Sequence, residues 1–322
     1  MQGVKYAVAW FVVVLCLLLA PIPLSRAASS DDTVVGVLAA TPDELTLLLR
    51  LSNAVDHENG LRIVPMAGKG PVQTLTDLFY IRGVDAVLVP SDTLAFMERN
   101  GLLDNIGSKF AFVVRLFPLD VHVVARTGID SLADLDGKIV AAGPSASASY
   151  VAGQFLLGTT GISAKTIEAD GEAAVRAVAD GNADAAILVG RKPLSELKSL
   201  GADSALHLID VAAPEGLQDI YAPSLVTHDD YPQLVEAARP VETISAALVV
   251  AVLDRQRGMP QYAKVRRFAD GLFTALQRGS GGDASLNLAA SVPGWNRHPA
   301  VVEALKSHAE KLQAATQTNA EN

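Results

Sequence analysis

Residues 33–44 read Thr-Val-Val-Gly-Val-Leu-Ala-Ala-Thr-Pro-Asp-Glu. The first seven are apolar and largely β-branched with no polar alternation, the pattern of a strand covered on both faces. Thr41 then offers a capping hydroxyl, Pro42 fits the first helical position, and Glu44 at the third completes a capping box. A buried strand feeding a capped helix is the opening of a βαβ unit, and the chain repeats it. Strand 61–66 precedes a helix over 71–81, and strand 85–89 ends at Pro90-Ser91-Asp92 before another helix. These units predict an α/β fold with a parallel-dominated sheet.

Further on, strands over 110–117 and 121–125 flank Pro118-Leu119-Asp120, which we read as the first crossing between two lobes. The pattern then resumes. A short helix covers 131–136, followed by strand 138–142, helix 147–157, strand 166–169, helix 172–179, strand 184–189 and strand 205–209. Residues 210–240, rich in Pro, Asp and Tyr, predict long loops. A return strand spans 243–253, and Val265, Phe268, Leu272 and Leu276 mark one face of a helix over 262–276. A flexible loop is expected at 279–283, a last helix at 300–312, and a disordered tail at 313–322. The expected layout is a two-lobed clamshell: residues 28–118 and 244–312 form lobe 1, residues 119–243 form lobe 2, and two strands make the hinge. Ligands in such folds bind beyond the carboxyl ends of the strands, and hinge closure buries them.

Residues 1–27 are expected to lie outside this fold. Lys5 precedes an unbroken apolar run from Ala7 to Ala20, Pro21 and Pro23 end it, and Ser25-Arg26-Ala27 offers small residues for cleavage after Ala27. That order is a secretory signal peptide, so the mature chain is expected in the periplasm. Its removal takes away two of the 26 basic residues, none of the 35 acidic ones and the single cysteine, Cys16, moving the net charge from −9 to −11. An acidic, cysteine-free chain argues against nucleic acid as a partner and against a disulfide framework. Half the residues are hydrophobic but only 5% aromatic, so the core is built from Ala, Val, Leu and Ile. The sequence contains no Gly-x-Ser-x-Gly elbow, no paired histidines at metal-ligand spacing and no phosphate-loop lysine motif. Neither an enzyme nor a cofactor is therefore expected.

The best candidate ligand site is residues 143–149, Gly-Pro-Ser-Ala-Ser-Ala-Ser, between a strand and a helix. The first free N–H groups of that helix, which begins beyond Gly143, and its positive end suit a carboxylate or phosphate, with Ser145, Ser147 and Ser149 adding hydroxyls. A plain serine cap is the competing use. Thr41 occupies the equivalent junction in the first lobe. Ser91 and Asp92 also follow a strand, with Asp92 either capping a helix or meeting ligand. Gly190 permits close backbone approach, and Arg191 is either a bidentate carboxylate partner or a solvated side chain. Arg115 and Arg126, beside the crossing, suggest either a ligand partner or, more in keeping with a crossover, interlobe salt bridges. His122, inside an apolar strand, reads as a satisfied core residue, and Trp295 with Pro293 as a pin holding the C-terminal segment to the first lobe.

Several stretches carry a family resemblance. Val84-Asp85-Ala86-Val87-Leu88-Val89-Pro90-Ser91-Asp92, Leu116-Phe117-Pro118-Leu119-Asp120-Val121-His122-Val123-Val124-Ala125-Arg126 and Ser131-Leu132-Ala133-Asp134-Leu135-Asp136-Gly137-Lys138 resemble segments of the TAXI-type solute receptors of TRAP transporters, within the type II periplasmic binding-protein fold. So do Pro240-Val241-Glu242-Thr243-Ile244, Tyr262-Ala263-Lys264-Val265 and Asn287-Leu288-Ala289-Ala290-Ser291-Val292-Pro293-Gly294-Trp295. The resemblance implies a monomeric receptor for a small organic anion, carboxylate or amino acid, serving a TRAP-type membrane permease. It also implies that Tyr221 closes the cleft from the side, with core packing as the competing use. A sensor module for a membrane kinase or an ATP-driven importer's binding protein would share this fold. The chain departs from the family at Ala39-Ala40-Thr41-Pro42 and at residues 143–149, both in loops expected to touch the ligand.

Overall fold

The computed structural model describes residues 33–55, 60–201, 204–279 and 286–320. The signal segment, most of the 279–283 loop and the last two residues lie outside the described residues. The strands are β1 (Thr33–Ala39), β2 (Leu61–Ala67), β3 (Ala86–Pro90), β4 (Phe110–Arg126), β5 (Ile139–Ala141), β6 (Lys165–Ile167), β7 (Ala185–Gly190), β8 (Leu206–Leu208), β9 (Ala222–Val226) and β10 (Val241–Leu253). The helices are α1 (Pro42–Val55), α2 (Pro71–Tyr80), α3 (Asp92–Arg99), α4 (Ala148–Thr160), α5 (Gly171–Ala179), α6 (Ser195–Lys198), α7 (Pro260–Gln277) and α8 (Pro299–Ala320).

All the described strands belong to one sheet of order β2-β1-β3-β10-β4-β7-β5-β6, with β8 paired to β4 and β9 to β10. Parallel triplets form its two halves: β2-β1-β3 in the first and β7-β5-β6 in the second. The long strands β4 and β10 run antiparallel between them. β10 pairs with β9 at its start and β3 near its end, while β4 pairs with β7 and β8 over its last residues.

Strand periodicity sorts the core into layers. In the first half, Val35, Val37, Ala39, Ala86 and Leu88 pack with Leu47, Leu51, Phe268, Leu272 and Phe273 of α1 and α7. The alternate residues Leu38, Val87 and Val89 face Leu75 and Leu78 of α2 and Leu94 and Met97 of α3. The second half repeats the arrangement. Ala186 and Leu188 meet Val175 and Val178 of α5, while Ala185 and Ile187 share a cluster with Val151, Phe155 and Leu156 of α4. That last cluster also holds the α2 and α3 residues, so one buried apolar layer runs through both halves.

Two differences from the sequence reading have physical causes. β4 is one unbroken 17-residue strand rather than two. Pro118 lacks an amide, but it lies opposite Ala247, and Ala247 spends both backbone groups on Ser91: its N–H donates to Ser91 Oγ at 3.0 Å and its carbonyl accepts Ser91 N–H at 2.8 Å. No amide is needed from position 118, so the proline does not interrupt the strand. Within the expected loop region 210–240, residues 222–226 form β9, recruited by the first residues of β10. The last helix continues to Ala320, beyond the Leu312 expected from sequence.

Gly36 records how tightly the first half is closed. Its N–H donates to Asp85 Oδ2 at 3.0 Å, and a Cβ there would stand 1.9 Å from the Gly83 carbonyl oxygen. Gly36→Ala is therefore expected to destabilise the protein by about 1–3 kcal/mol or more through overpacking. Gly158, exposed on α4 with nothing near its Cβ position, is the control. Gly158→Ala should stabilise by roughly 0.5–1 kcal/mol, and denaturant midpoints of both variants check the pair.

Candidate functional site

The carboxyl ends of both parallel triplets carry the chemistry, and the two halves meet there. A Cβ on Gly70, the residue before α2, would lie 3.4 Å from the Ala146 carbonyl in the 143–149 loop. Phe96 of α3 packs edge-to-face on Tyr150 and Phe155 of α4, with centroids 6.1 and 6.3 Å apart, and the Arg99 guanidinium sits 4.8 Å above the Phe155 ring. Tyr221, just ahead of β9, packs on Phe155 at 5.9 Å and donates its hydroxyl to Asp92 Oδ2 at 2.6 Å. The structure thus closes the first half onto the second through Gly70, α3 and Asp92 on one side and residues 143–149, α4 and Tyr221 on the other.

The 143–149 loop is shaped by its backbone. Gly143 has φ of 76° and Ala146 has φ of 65°, so two residues in four adopt the left-handed region. At Gly143 a side chain would collide with Ser147 Oγ, 2.5 Å from the Cβ position, so only glycine fits. Ser147 caps α4, accepting the Tyr150 amide at 3.1 Å. Ser149 is buried and donates to Asp170 Oδ1 at 2.9 Å, fastening the loop to the cap of α5. Ser145 is exposed. The loop therefore leaves the exposed Ser145 hydroxyl as a donor, with Ser147 and Ser149 holding the frame.

The first half presents carboxyl groups instead. Thr41 caps α1 by accepting the Glu44 amide, and Glu44 Oε2 accepts the amides of Ala40 at 2.9 Å and Thr41 at 3.2 Å. The capping box read from sequence is present, and it spends on an internal carboxylate the amides that an anionic ligand would use. Burial pushes the Glu44 carboxyl up to about 7 despite those hydrogen bonds. Asp92, at the first position of α3, is 1% exposed. Burial raises its carboxyl to about 6, and the Tyr221 hydrogen bond offsets only part of that. Its second oxygen, Oδ1, and the neighbouring Thr93 hydroxyl are buried without a hydrogen-bond partner. Ser91 is committed to Ala247, and its carbonyl accepts Trp295 Nε1 at 2.8 Å. Trp295 therefore pins the C-terminal segment to the first half, as expected.

At the end of β7, a Cβ on Gly190 would lie 2.6 Å from Leu194, and Arg191 stacks its guanidinium 4.7 Å over Phe117 on β4. The group that sequence reasoning missed is next to it. Asp120, fully buried in mid-β4, accepts Ser224 Oγ at 2.5 Å and lies 3.6 Å from Lys192 Nζ, which also donates to the Leu225 carbonyl at 2.5 Å. This network ties β4, β7 and β9 together where the halves join. Its one sequence signal is an aspartate inside the apolar run from Leu116 to Ala125. His122 is a satisfied core residue: Nδ1 lies 3.1 Å from the Asp120 carbonyl and Nε2 3.1 Å from the Tyr231 hydroxyl. Burial lowers its ring to about 4, so the neutral ring donates through Nδ1 and accepts from Tyr231. Arg126 pairs with Asp184 inside the second half rather than between halves, and Arg115, half-buried on β4, has no ion pair among the described residues. No cluster of three or more His, Cys, Asp or Glu among the described residues has metal-holding geometry.

Comparisons with known proteins bear on this architecture. A family model described as the NMT1-like family matches residues 103–256, from the loop before β4 to the end of β10. A solved periplasmic transporter is similar at 13% identity, with 89% of this chain and 97% of that one covered and a TM-score of 0.50. A protein from Bordetella bronchiseptica RB50 is similar at 12% identity, covering 86% of this chain and 98% of the other, with a TM-score of 0.51. The alkanesulfonate-binding protein SsuA from Xanthomonas axonopodis pv. citri, solved with MOPS bound, aligns at 15% identity over 86% of this chain and 85% of its own, with a TM-score of 0.44. At such identities the likeness speaks to fold, and the fold is the mixed α/β architecture of type II periplasmic binding proteins.

The Asp92 environment makes a pH prediction. Because its folded value lies above the ordinary 3.8, the stability linked to its proton is full below about pH 4 and is lost as pH rises through about 6. Asp92→Asn keeps an acceptor for Tyr221 and cannot ionise. It should raise stability by on the order of 2 kcal/mol at pH 8 and change it little at pH 4, as read from melting temperatures across that range.

Proposed function

We propose that this chain is an exported solute-binding receptor that captures a small carboxylate-bearing molecule between its two halves and delivers it to a membrane permease. Supporting this is the meeting of strand ends from both halves, where Gly70, α3 and Asp92 face residues 143–149, α4 and Tyr221. Ligands of open α/β sheets bind at that edge, and the NMT1-like match and the fold likeness agree with a binding role. Export rests on the segment at residues 1–27. Among the described residues, no helix is long and apolar enough to cross a membrane.

The polarity of the site narrows the ligand. The second half offers donors, namely the Ser145 hydroxyl and the amides at the start of α4, and a carboxylate belongs there. The first half offers Glu44 and Asp92, two acidic groups already raised by burial. A second carboxylate placed against them would be repelled, whereas a ligand ammonium or hydroxyl admitted as the halves part would satisfy the buried, unpartnered Asp92 oxygen. An amino acid or hydroxy acid fits this arrangement better than a dicarboxylate. Gly190, Arg191 and the Asp120–Lys192 pair would line the side where the halves join. Delivery to a TRAP-type permease follows from the resemblance in the quoted segments.

A thermal-shift series of the mature protein against amino acids, hydroxy acids, dicarboxylates and sugars tests this reading. A ligand at about a hundred times its dissociation constant should add roughly 2.7 kcal/mol of stability. Ser145→Glu puts a carboxylate beside the expected anion position on an exposed residue, and should weaken binding by about tenfold or more while leaving the unliganded melting temperature unchanged. Equal affinity in that variant would remove residues 143–149 from the site.

A further inference from the structure

A second concave feature lies at the other end of the first half. A cavity of about 260 Å³ opens at the amino-terminal ends of β1 and β3, beside Val35 and residues 83–85, and next to Val252 and Leu253 at the carboxyl end of β10. The parallel strands point their carboxyl ends, with Thr41 and Asp92, away from it, so it is separate from the site described above. Its floor is apolar: Leu78, Val84, Val265 and Phe268 are all buried. Beyond the floor, Tyr80 and Ile81 form an apolar lip, 65% and 50% exposed.

The charge around this cavity runs against that of the protein. The chain carries a net charge of −9, yet the cavity lining holds three cationic side chains, Arg82, Arg255 and Lys264, and one carboxylate, Asp85. That carboxylate is already used: Asp85 Oδ1 pairs with Lys264 Nζ at 2.6 Å, and Oδ2 accepts the Gly36 amide at 3.0 Å. Asp254, the residue before Arg255, is turned to His298, 3.9 Å from its ring. Neither the Arg82 nor the Arg255 guanidinium has a hydrogen-bonding or ion-pair partner among the described residues, so two forks of donors line a cavity whose floor is apolar. A guanidinium fork matches a carboxylate bidentately, and an apolar cavity with a few convergent polar groups is the usual form of a small-molecule site.

We propose that this cavity is an accessory site for a small, apolar-bodied monocarboxylate, with its anion on Arg82 and Arg255 and its body against Leu78, Val265 and Phe268. Benzoate is the probe, and its neutral isostere benzamide the control. Titration calorimetry on the mature protein should give one saturable benzoate site and much weaker benzamide binding. The double variant Arg82→Glu/Arg255→Glu, with both changes on side chains that hold no partner, should weaken benzoate about tenfold or more, with an unchanged melting temperature. Ser145→Glu, at the opposite end of the sheet, should leave benzoate binding as it is. Absence of benzoate binding, equal affinity in the double variant, or loss of binding in Ser145→Glu would each overturn the proposal.

Discussion

The antiparallel pairing of β4 with β10 is the constraint on which the rest of the molecule depends. Together they bridge the halves: β10 borders β3 of the first half and β9 of the second, and β4 borders β7 and β8 of the second. Neither parallel triplet can be positioned without them. That makes the mid-strand chemistry decisive. Pro118 is accommodated only because Ser91 satisfies Ala247, and Ser91 in turn holds Trp295. Buried Asp120 is held by Ser224 and Lys192 from β9 and the β7 end. Removing Lys192 would leave a buried carboxylate without a counter-charge, among the most expensive losses a core can suffer.

From that arrangement follows an electrostatic asymmetry. The first half brings Asp92 to the junction and occupies its own helix-start amides with Glu44. The second half brings a serine-rich turn whose frame is fixed by Ser147, Ser149 and Asp170. Under the proposed function, the first side would take a positive or donating group and the second an anion. Asp92 joins them, because the hydrogen bond it accepts comes from Tyr221 of the opposite half, against an apolar layer formed by Phe96, Tyr150 and Phe155. The surfaces proposed to take the ligand are thus the ones that hold the junction shut.

Much of the fold was legible in the sequence because its signals are local. The apolar run at Thr33–Ala39 and the capping box at Thr41 and Glu44 decide a strand and a helix start without tertiary help. β4 was misread as two strands because the exemption for Pro118 comes from Ser91, far away in sequence. β9 was missed because its residues alternate weakly and form a strand only against β10. The candidate site divides in the same way. Gly143 and Ser147 announce a strand-to-helix turn by type and spacing, but nothing in the sequence tells that Ser149 turns inward to Asp170, that Ser91 is spent on Ala247, or that Arg191 lies over Phe117. Those depend on contacts between distant segments, as does the Asp120–Lys192–Ser224 network.

The central claim is that one solute engages both halves at once. Hydrogen–deuterium exchange with and without the acid that gives the largest thermal shift tests it most directly. The account predicts slowed exchange together in peptides covering residues 141–150 and residues 90–99, with Tyr221 and its neighbours protected to the same extent. Protection confined to one half, or confined to the outer face of the first half near Arg82, would contradict it.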